Sequence, residues 1–418
     1  MKNNTYSLKG PHSNLISGDI QITGSKSETN RLLLLQALFP TLQIENLSNS
    51  DDAQAMQKGV ATKQGIVDVY HAGTAMRFLT AFFATQVGAD IVLTGSPRMQ
   101  ERPIGILVDA LNALGAQITY EKNEGFPPLR IKGVAIETAE VTLDAGVSSQ
   151  YISALLLVAP HLKNGLRLHL KGKITSVPYI EMTLALLSQI GVKSSFEGPE
   201  IRVWPQTSVT PSTLVVESDW SSASYFYSLM SMADIGSEVR LSAYKAHSLQ
   251  GDAVLAKVYT SLGVDTAFSD HAVVLTKKRA VAASVVANGL TWDLANAPDI
   301  AQTIAVSCFG LGVACELTGL HTLKIKETDR LVALENELTA LGGSIDITEN
   351  SLHLKAFPND IISGVTIATY HDHRMAMAFA PLALRTNIKI AEALVVNKSY
   401  PDFWQDMKAM GIQLTEVL

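Results

Sequence analysis

A helical pattern of apolar residues, closed by a glycine and followed by alternating residues, returns several times along the chain. It is clearest in LENELTALGGSIDI, residues 334–347. Four leucines share one face of the predicted helix: Leu331, Leu334, Leu338 and Leu341. The glycine after them is typical of a helix end in the left-handed conformation, and the alternation that follows predicts a strand. Each copy therefore predicts a helix that leads directly into a strand.

Five strong copies of this phrase are spaced almost evenly. Their glycines are Gly115, Gly191, Gly263, Gly342 and Gly411, which stand 76, 72, 79 and 69 residues apart. A weaker sixth copy begins at Asp52. Because the period exceeds the roughly 20–50 residues of solenoid repeats, we expect six compact α/β subdomains that pack closely without long linkers. The alternative is that leucine followed by glycine ends helices in any α/β protein.

Composition narrows the class of protein. The 418 residues are 47% hydrophobic and 17% charged, with a net charge of −6, which predicts two or three domains with large cores and argues against a nucleic-acid partner. The sequence contains no signal-peptide core and no apolar run long enough to cross a membrane, so we expect a cytoplasmic protein. Cys308 and Cys315 lie in an apolar stretch, which favours buried thiols over a disulfide or a metal site.

Cationic side chains recur at the starts of predicted helices. They are Lys26, Arg31, Arg77, Lys326, Arg330 and Arg374. Because the helix dipole favours cations at the opposite end by about 0.3–1 kcal/mol each, this placement indicates bound anions, although coincidental surface charge is the alternative. In the first of these segments, GSKSETNR, we also expect Ser25 and Glu28 to form a capping box.

Two carboxylates accompany these cations. Asp299 precedes a long apolar stretch in NAPDIAQTIAV, and Glu327 follows a lysine in KETDR. Acids beside cationic groups are candidates for general acid–base catalysis. The alternatives are a helix N-cap for Asp299 and a first-turn acid that complements the helix dipole for Glu327. The histidines have no metal-binding spacing, so we expect no metal.

Seven motifs in this order resemble the family of 5-enolpyruvylshikimate-3-phosphate (EPSP) synthases, or 3-phosphoshikimate 1-carboxyvinyltransferases. They are GSKSETNR, AGTAMR, PRMQERPIG, SSQ, KETDR, DHRMAM and NKSYPDFW. The resemblance covers nearly the whole chain and implies a two-lobed α/β fold, an inside-out α/β barrel with three βαβαββ repeats in each lobe. It implies an N-terminal lobe at 24–217, a C-terminal lobe at 1–23 and 218–418, and closure of the lobes over the substrates.

The resemblance also implies an activity, which is transfer of the enolpyruvyl group of phosphoenolpyruvate to the 5-hydroxyl of 3-phosphoshikimate. The implied residues for 3-phosphoshikimate are Lys26, Ser27, Arg31, Ser148, Ser149, Gln150, Ser176, Asp299 and Lys326, with Tyr179 beside the ring. Those for phosphoenolpyruvate are Lys26, Gly73, Arg102, Gln150, Arg330, Arg374 and Lys398. Proton transfer is implied for Asp299, Glu327 and Lys26, with the methylene proton on Glu327 and the hydroxyl proton on Asp299. No cofactor is implied, and the family suggests a monomer.

The chain departs from the family pattern at a few positions. His71 and Phe78 stand where asparagine and proline are usual, and Gln100 and Thr322 replace a common lysine and asparagine. Gly73 favours inhibition by glyphosate, to a degree that these departures leave open. One rival is UDP-N-acetylglucosamine enolpyruvyl transferase, whose active-site loop generally carries a cysteine that PRMQERP lacks. A second rival, a non-catalytic anion-binding protein on the same scaffold, would be expected to lose one of the key charged residues.

Overall fold

The structure is a computed structural model that describes residues 4–144, 146, 148–172, 174, 177–269, 271–357 and 359–417. The chain forms two compact units. The N-terminal unit is Thr23–Glu217, and the C-terminal unit combines Met1–Ile22 with Ser218–Leu418. The chain therefore begins in the C-terminal unit, builds the N-terminal unit, and then returns.

Strands and helices alternate through both units. The strands are β1 Thr5–Lys9, β2 Ser17–Ile20, β3 Leu42–Glu45, β4 Gln64–Asp68, β5 Asp90–Thr94, β6 Gln117–Tyr120, β7 Leu129–Lys132, β8 Glu140–Asp144, β9 Leu166–Lys171, β10 Ser194–Glu197, β11 Glu200–Val203, β12 Ser212–Val215, β13 Glu238–Ser242, β14 Val264–Ser269, β15 Ala272–Lys277, β16 Leu290–Asp293, β17 Cys315–Thr318, β18 Ile345–Ile347, β19 Leu352–Leu354, β20 Thr366–Ile367, β21 Ile388–Ile390 and β22 Gln413–Val417. The helices are α1 Lys26–Leu38, α2 Asp51–Val60, α3 Gly73–Thr85, α4 Gly105–Ala113, α5 Ser149–Val158, α6 Val177–Gln189, α7 Trp220–Met232, α8 Leu255–Ser261, α9 Ala283–Asn288, α10 Ala301–Gly310, α11 Arg330–Ala340, α12 His373–Phe379 and α13 Phe403–Ala409. Short 3₁₀ turns lie at Met99–Glu101, Ala159–His161, Gly251–Val254, Pro298–Ile300, His321–Ile325, Ala380–Leu384 and Ala393–Lys398.

Five sheets share one topology. Their orders are β4-β5-β7-β6 and β8-β9-β11-β10 in the N-terminal unit, and β2-β13-β15-β14, β16-β17-β19-β18 and β20-β21-β1-β22 in the C-terminal unit. In each sheet the first two strands are parallel and the remaining pairings are antiparallel. A parallel pair needs a crossover connection, which in four of these sheets is the helix between the two strands.

The repeat glycines behave as predicted. All five have positive φ, between 84° and 106°, and each follows one of the helices α4, α6, α8, α11 and α13. The strand after each glycine then enters an antiparallel pair. The weak sixth copy differs, because its helix α2 leads into β4 of another sheet. In the described part of the chain, its own subdomain has only the parallel pair β3 and β12.

Buried helices with little or no charge occur in both units. The helices α7 (WSSASYFYSLMSM) and α10 (AQTIAVSCFG) carry no charged side chain, and nearly all of their residues are buried. In α3 every residue is buried, and Arg77 is its one charged residue. A helix without a polar face is stable only when it is covered on all sides. The apolar stretch that holds both cysteines accordingly forms α10 and the start of β17, and both thiols are buried.

The segment before Thr23 completes two sheets of the C-terminal unit. Strand β1 lies between β21 and β22, where Leu8 pairs with Ile388 on one side and Leu414 on the other. Strand β2 forms an edge beside β13. None of the helices in the part of the chain that the structure describes is long and apolar enough to cross a membrane.

Candidate active site

In the C-terminal unit, six charged side chains that the sequence singles out lie together with a seventh, Asp372, that it does not. We call this set the charged cluster: Asp299, Lys326, Glu327, Arg330, Asp372, Arg374 and Lys398. Asp299 lies in the turn before α10, Arg330 is the first residue of α11, and Arg374 is the second residue of α12. The predicted gathering of cations at helix starts is therefore present within this unit.

Arg330 is the centre of the charged cluster. Its side chain is only 2% exposed, and its guanidinium donates to three carboxylates. Nη1 lies 2.9 Å from Oδ1 of Asp299, Nη2 lies 2.8 Å from Oε2 of Glu327, and Nε lies 2.7 Å from Oδ2 of Asp372. Burial acts to lower the pKa of Arg330, but its three carboxylate partners raise it above the ordinary value. Arg330 thus stays charged and fixes the positions of both candidate catalytic acids.

Asp299 is shared among three cations. Besides Arg330, Lys326 Nζ lies 3.4 Å from its Oδ1 and Arg374 Nη2 lies 3.2 Å from its Oδ2. Burial acts to raise the pKa of Asp299, but the three cations bring it well below its usual range. The carboxylate is therefore ionised, and its basicity would increase if an anionic ligand drew these cations to itself. The N-cap alternative is wrong, because the Asp299 side chain does not cap α10.

Glu327 lies between two cations. Its Oε2 accepts from Arg330, and its Oε1 accepts from Lys398 Nζ at 2.7 Å. The first-turn alternative is also wrong, because Glu327 precedes α11 and the N-cap of that helix is Asp329, whose side chain accepts from the amides of the first turn. Both carboxylates therefore belong to the charged cluster.

Asp372 is a member of the charged cluster that sequence reasoning missed. It is fully buried, it caps α12 by accepting from the amide of Arg374 at 2.8 Å, and it binds Nε of Arg330. The available signal was its position directly before the helix in DHRMAM, which is typical of an N-cap. Its role as a partner of Arg330 depends on a contact across 42 residues of sequence.

In the N-terminal unit, Lys26 is the first residue of α1 and its Nζ lies 3.5 Å from Oδ2 of Asp52, near the start of α2. The predicted capping box is wrong. The Ser25 side chain makes no capping hydrogen bond. Glu28 instead accepts from the amide of Glu217 at 3.2 Å, because its carboxylate is buried against the segment that leaves this unit.

Arg31 forms a buried hydrogen-bond network with α5 and α6. Its Nε donates to Oγ1 of Thr183 at 2.8 Å, and its Nη2 donates to Oγ of Ser153 at 2.9 Å. The guanidinium also lies over the rings of Phe78 and Tyr179, 5.4 Å and 5.9 Å from their centres. Burial lowers the pKa of Arg31 to about 10. In this structure the residue therefore holds three helices together.

Two further contacts lie at the starts of α3 and α5. A methyl group on Gly73 would lie 2.6 Å from Nη1 of Arg102, so the absence of a side chain leaves room for that guanidinium. Gln150 Nε2 donates to Oγ1 of Thr74 at 3.3 Å. The first arrangement brings two phosphoenolpyruvate candidates together, and the second joins Gln150 to Thr74, the residue after Gly73.

The remaining predicted residues of the N-terminal unit fall into three groups. Ser148 is the N-cap of α5, where its Oγ accepts from the amide of Gln150, and Ser149 is the first residue of that helix. The backbone carbonyl of Ser27 accepts from Arg31 at 2.8 Å. Ser176 lies outside the described residues. Among those described, no three His, Cys, Asp or Glu side chains are grouped so as to hold a metal ion.

Known proteins resemble this chain over nearly its full length. The family model of EPSP synthase (3-phosphoshikimate 1-carboxyvinyltransferase) matches residues 57–407. The 3-phosphoshikimate 1-carboxyvinyltransferase of Bacteroides fragilis is 43% identical over 413 residues, covering 97% of this chain and 98% of that protein. The protein of the same name from Shewanella baltica is 36% identical over 426 residues, covering 94% and 97%.

Solved structures agree on the fold. The EPSP synthase of Acinetobacter baumannii has a TM-score of 0.80 to this chain at 20% identity, covering 99% of this chain and 100% of that one. At such low identity the likeness concerns the fold alone, and it confirms the predicted fold class. Since the family model and relatives of up to 44% identity both extend over most of its length, the chain belongs to the EPSP synthase family.

Proposed function

We propose that this chain transfers the enolpyruvyl group of phosphoenolpyruvate to the 5-hydroxyl of 3-phosphoshikimate and releases phosphate. Membership of the family supports this reaction. The observation that carries the proposal is the charged cluster, in which four cations surround the carboxylates of Asp299 and Glu327, two of them (Arg330 and Arg374) in the first turn of a helix. Such an arrangement suits a multiply charged anion and a proton-transfer reaction.

In the first step, the 5-hydroxyl oxygen bonds to C2 of phosphoenolpyruvate while C3 accepts a proton, which gives a tetrahedral intermediate. In the second step, C3 of this intermediate loses a proton and the C2–O bond to phosphate breaks, which regenerates the C2–C3 double bond and releases phosphate. We assign the hydroxyl proton to Asp299 and the methylene proton to Glu327, with Lys26 able to share in proton transfer. Fixed cations would stabilise the charge that develops on carboxylate and phosphate oxygens.

Phosphoenolpyruvate offers a carboxylate and a phosphate, and both need cationic or amide donors. In the C-terminal unit we assign this role to Arg330, Arg374 and Lys398. In the N-terminal unit we assign it to Lys26, Gly73, Arg102 and Gln150, where the lack of a side chain at Gly73 keeps the Arg102 guanidinium in place. Binding of this anion would draw cations from Asp299 and so raise the pKa of the proposed base.

For 3-phosphoshikimate we assign Lys26, Ser27, Arg31, Ser148, Ser149, Gln150 and Ser176 in the N-terminal unit, and Asp299 and Lys326 in the C-terminal unit. The serines at the start of α5 offer hydroxyls and amides of the kind that bind phosphate at a helix N-terminus. Arg31 is the assignment that demands most rearrangement, because its present partners are Thr183, Ser153 and backbone carbonyls. We further propose a monomeric cytoplasmic enzyme without a cofactor.

The test is phosphate release by the purified protein with phosphoenolpyruvate, with and without 3-phosphoshikimate. We expect release only when both are present. Asp299→Asn should lower kcat by about 10²–10⁴-fold, the range for loss of a general acid–base group, while Asp346→Asn, at an exposed carboxylate of the same unit, should not. Release from phosphoenolpyruvate with UDP-N-acetylglucosamine, and not with 3-phosphoshikimate, would refute the proposal.

A further inference from the structure

A buried carboxylate beside the charged cluster has no part in the roles assigned above. Asp252 lies in the turn Gly251–Val254, directly before α8, and is 4% exposed. Its Oδ2 accepts from the hydroxyl of Ser221, while its Oδ1 has no hydrogen-bond partner in the described part of the chain. A buried carboxylate with one oxygen unsatisfied is costly to keep, which calls for an explanation in function or in packing.

The contact with Ser221 leads into the charged cluster. Ser221 is the second residue of α7, and its Oγ accepts from Nη2 of Arg374 at 3.2 Å. The same Nη2 lies 3.2 Å from Oδ2 of Asp299, and Nη1 of Arg374 donates to the backbone carbonyl of Asp299 at 3.0 Å. A serine hydroxyl has one hydrogen. Because Asp252 accepts it, the oxygen lone pairs of Ser221 remain for Arg374.

The charge on Asp252 depends on several neighbours. Burial raises its pKa to about 6; the Arg374 guanidinium and the Ser221 hydroxyl act against that shift, and the carboxylates of Asp299 and Asp219 add to it. At neutral pH Asp252 is therefore largely ionised and attracts the Ser221 hydrogen strongly, whereas below pH 6 the attraction weakens.

We propose that Asp252 is a positioning residue, which holds the Arg374 guanidinium against Asp299 through the hydroxyl of Ser221. This inference rests on the proposed function, in which Arg374 binds phosphoenolpyruvate and Asp299 transfers a proton. A guanidinium already fixed in its binding orientation loses less conformational freedom when the anion arrives. Without Asp252, the Ser221 hydroxyl can turn, and Arg374 loses one of the acceptors that orient it.

The experiment compares Asp252→Ala, Asp252→Asn, Ser221→Ala and the double variant Ser221→Ala/Asp252→Ala, each checked for folding by thermal unfolding. We expect Asp252→Ala and Ser221→Ala each to raise the KM for phosphoenolpyruvate about tenfold, the loss of one hydrogen bond to a charged group. For these variants, any change in the KM for 3-phosphoshikimate should be smaller than the change in kcat, or there should be no change in that KM. Asp252→Asn should recover most of the affinity, because its amide oxygen still accepts from Ser221.

The KM of the double variant for phosphoenolpyruvate should be no higher than that of the more affected single variant, because Asp252 and Ser221 act on Arg374 through the same chain of hydrogen bonds. The KM of the wild-type enzyme for phosphoenolpyruvate should rise below pH 6 relative to that of Asp252→Asn. Glu337→Gln provides the control. Glu337 is another buried carboxylate of this unit, bonded to the hydroxyl of Tyr370 and the amide of Ala368, and its loss should change stability without changing KM.

A folded Asp252→Ala enzyme with the wild-type KM for phosphoenolpyruvate would overturn the inference. Additive effects in the double variant would also overturn it. If Asp252→Ala does not fold, Ser221→Ala and Asp252→Asn still decide the question. Failure of the proposed function is distinct, because the wild-type protein itself would then release no phosphate with both substrates present.

Discussion

Three carboxylates, of which Asp372 is fully buried and Asp299 and Glu327 are partly exposed, share the single guanidinium of Arg330, and this sharing decides what each can do. Asp299 gains two further cationic partners and Glu327 gains one, whereas Asp372 is committed to Arg330 and to the cap of α12. Since one cation cannot neutralise three anions, the outer cations Lys326, Arg374 and Lys398 supply the remaining positive charge. A bound anion competes for those outer cations, so ligand binding and the basicity of Asp299 are coupled.

At Gly73 we predict a change in substrate affinity with little change in fold. In Gly73→Ala the new methyl group would push the Arg102 guanidinium away, since the two would otherwise lie 2.6 Å apart. The KM for phosphoenolpyruvate should rise about tenfold, the value of a charge-assisted hydrogen bond. Steady-state kinetics would measure this. Arg102→Ala should raise KM at least as much, and a further increase from Gly73→Ala in that background would contradict the explanation.

For Asp252 we predict a dependence of stability on pH. Its pKa rises from 3.8 to about 6 on folding, so its contribution to the free energy of unfolding is fully present below pH 3.8 and is lost as the pH rises through 6. The difference in the free energy of unfolding between wild type and Asp252→Asn should therefore shift by about 2 kcal/mol in favour of the variant between pH 4 and pH 7. Urea unfolding at both pH values measures it, and a difference that does not vary with pH would contradict it.

Individual residues of the site were predictable when their signal is local. Lys326, Glu327 and Arg330 lie within one short motif, and a charged residue at a helix start is visible in sequence. Asp252 and Ser221 gave no such signal, because their proposed role depends on contact with Arg374, which lies more than 100 residues away in the sequence. A sequence pattern determines where a side chain stands on its own helix, but partner choice across the fold depends on tertiary packing.

Among the elements, the ends of α7 and α8 share one buried cation. Lys277 is 4% exposed, and its Nζ donates to the carbonyls of Ser231 at 2.7 Å and Leu262 at 2.8 Å. A cation at a helix C-terminus is favoured by the dipole, and it satisfies carbonyls that have no partner within their helix.

We predict that Lys277→Met lowers the free energy of unfolding by about 2–4 kcal/mol, because two buried carbonyls lose their donor. Lys278→Met is the matched control. Lys278 is exposed and forms a surface ion pair with Asp265, so its loss should cost no more than about 1 kcal/mol. Equilibrium unfolding in urea would measure both variants. Equal effects of the two would show that the helix ends do not depend on this cation.

Elements were predictable where composition and periodicity agree. The leucine stripe before Gly342 became α11, and the uncharged run with both cysteines became the buried helix α10 and strand β17. The capping box failed because Ser25 and Glu28 have the right spacing but Glu28 finds a better buried partner in the amide of Glu217. Spacing predicts which local hydrogen bonds are possible, whereas burial decides which are made.

At the scale of the whole molecule, the chain before Thr23 belongs to the core of the C-terminal unit. Leu8 is fully buried in the middle of a sheet, whereas Leu15 in the same segment is 59% exposed. Leu8→Ala should lower the free energy of unfolding of that unit by about 2–5 kcal/mol, and Leu15→Ala should have little effect. Urea unfolding would measure both, and a negligible effect of Leu8→Ala would contradict the placement of β1.

The central position of β1 has a consequence for the order of folding during synthesis. The ribosome makes β1 first but makes its neighbours β21 and β22 roughly 400 residues later, which takes tens of seconds at about 5–20 residues per second. The N-terminal unit has all its residues long before then and can fold while translation continues. Throughout that interval the β1 segment lacks both of its sheet partners, which leaves its backbone groups open to wrong pairing or to capture by a chaperone.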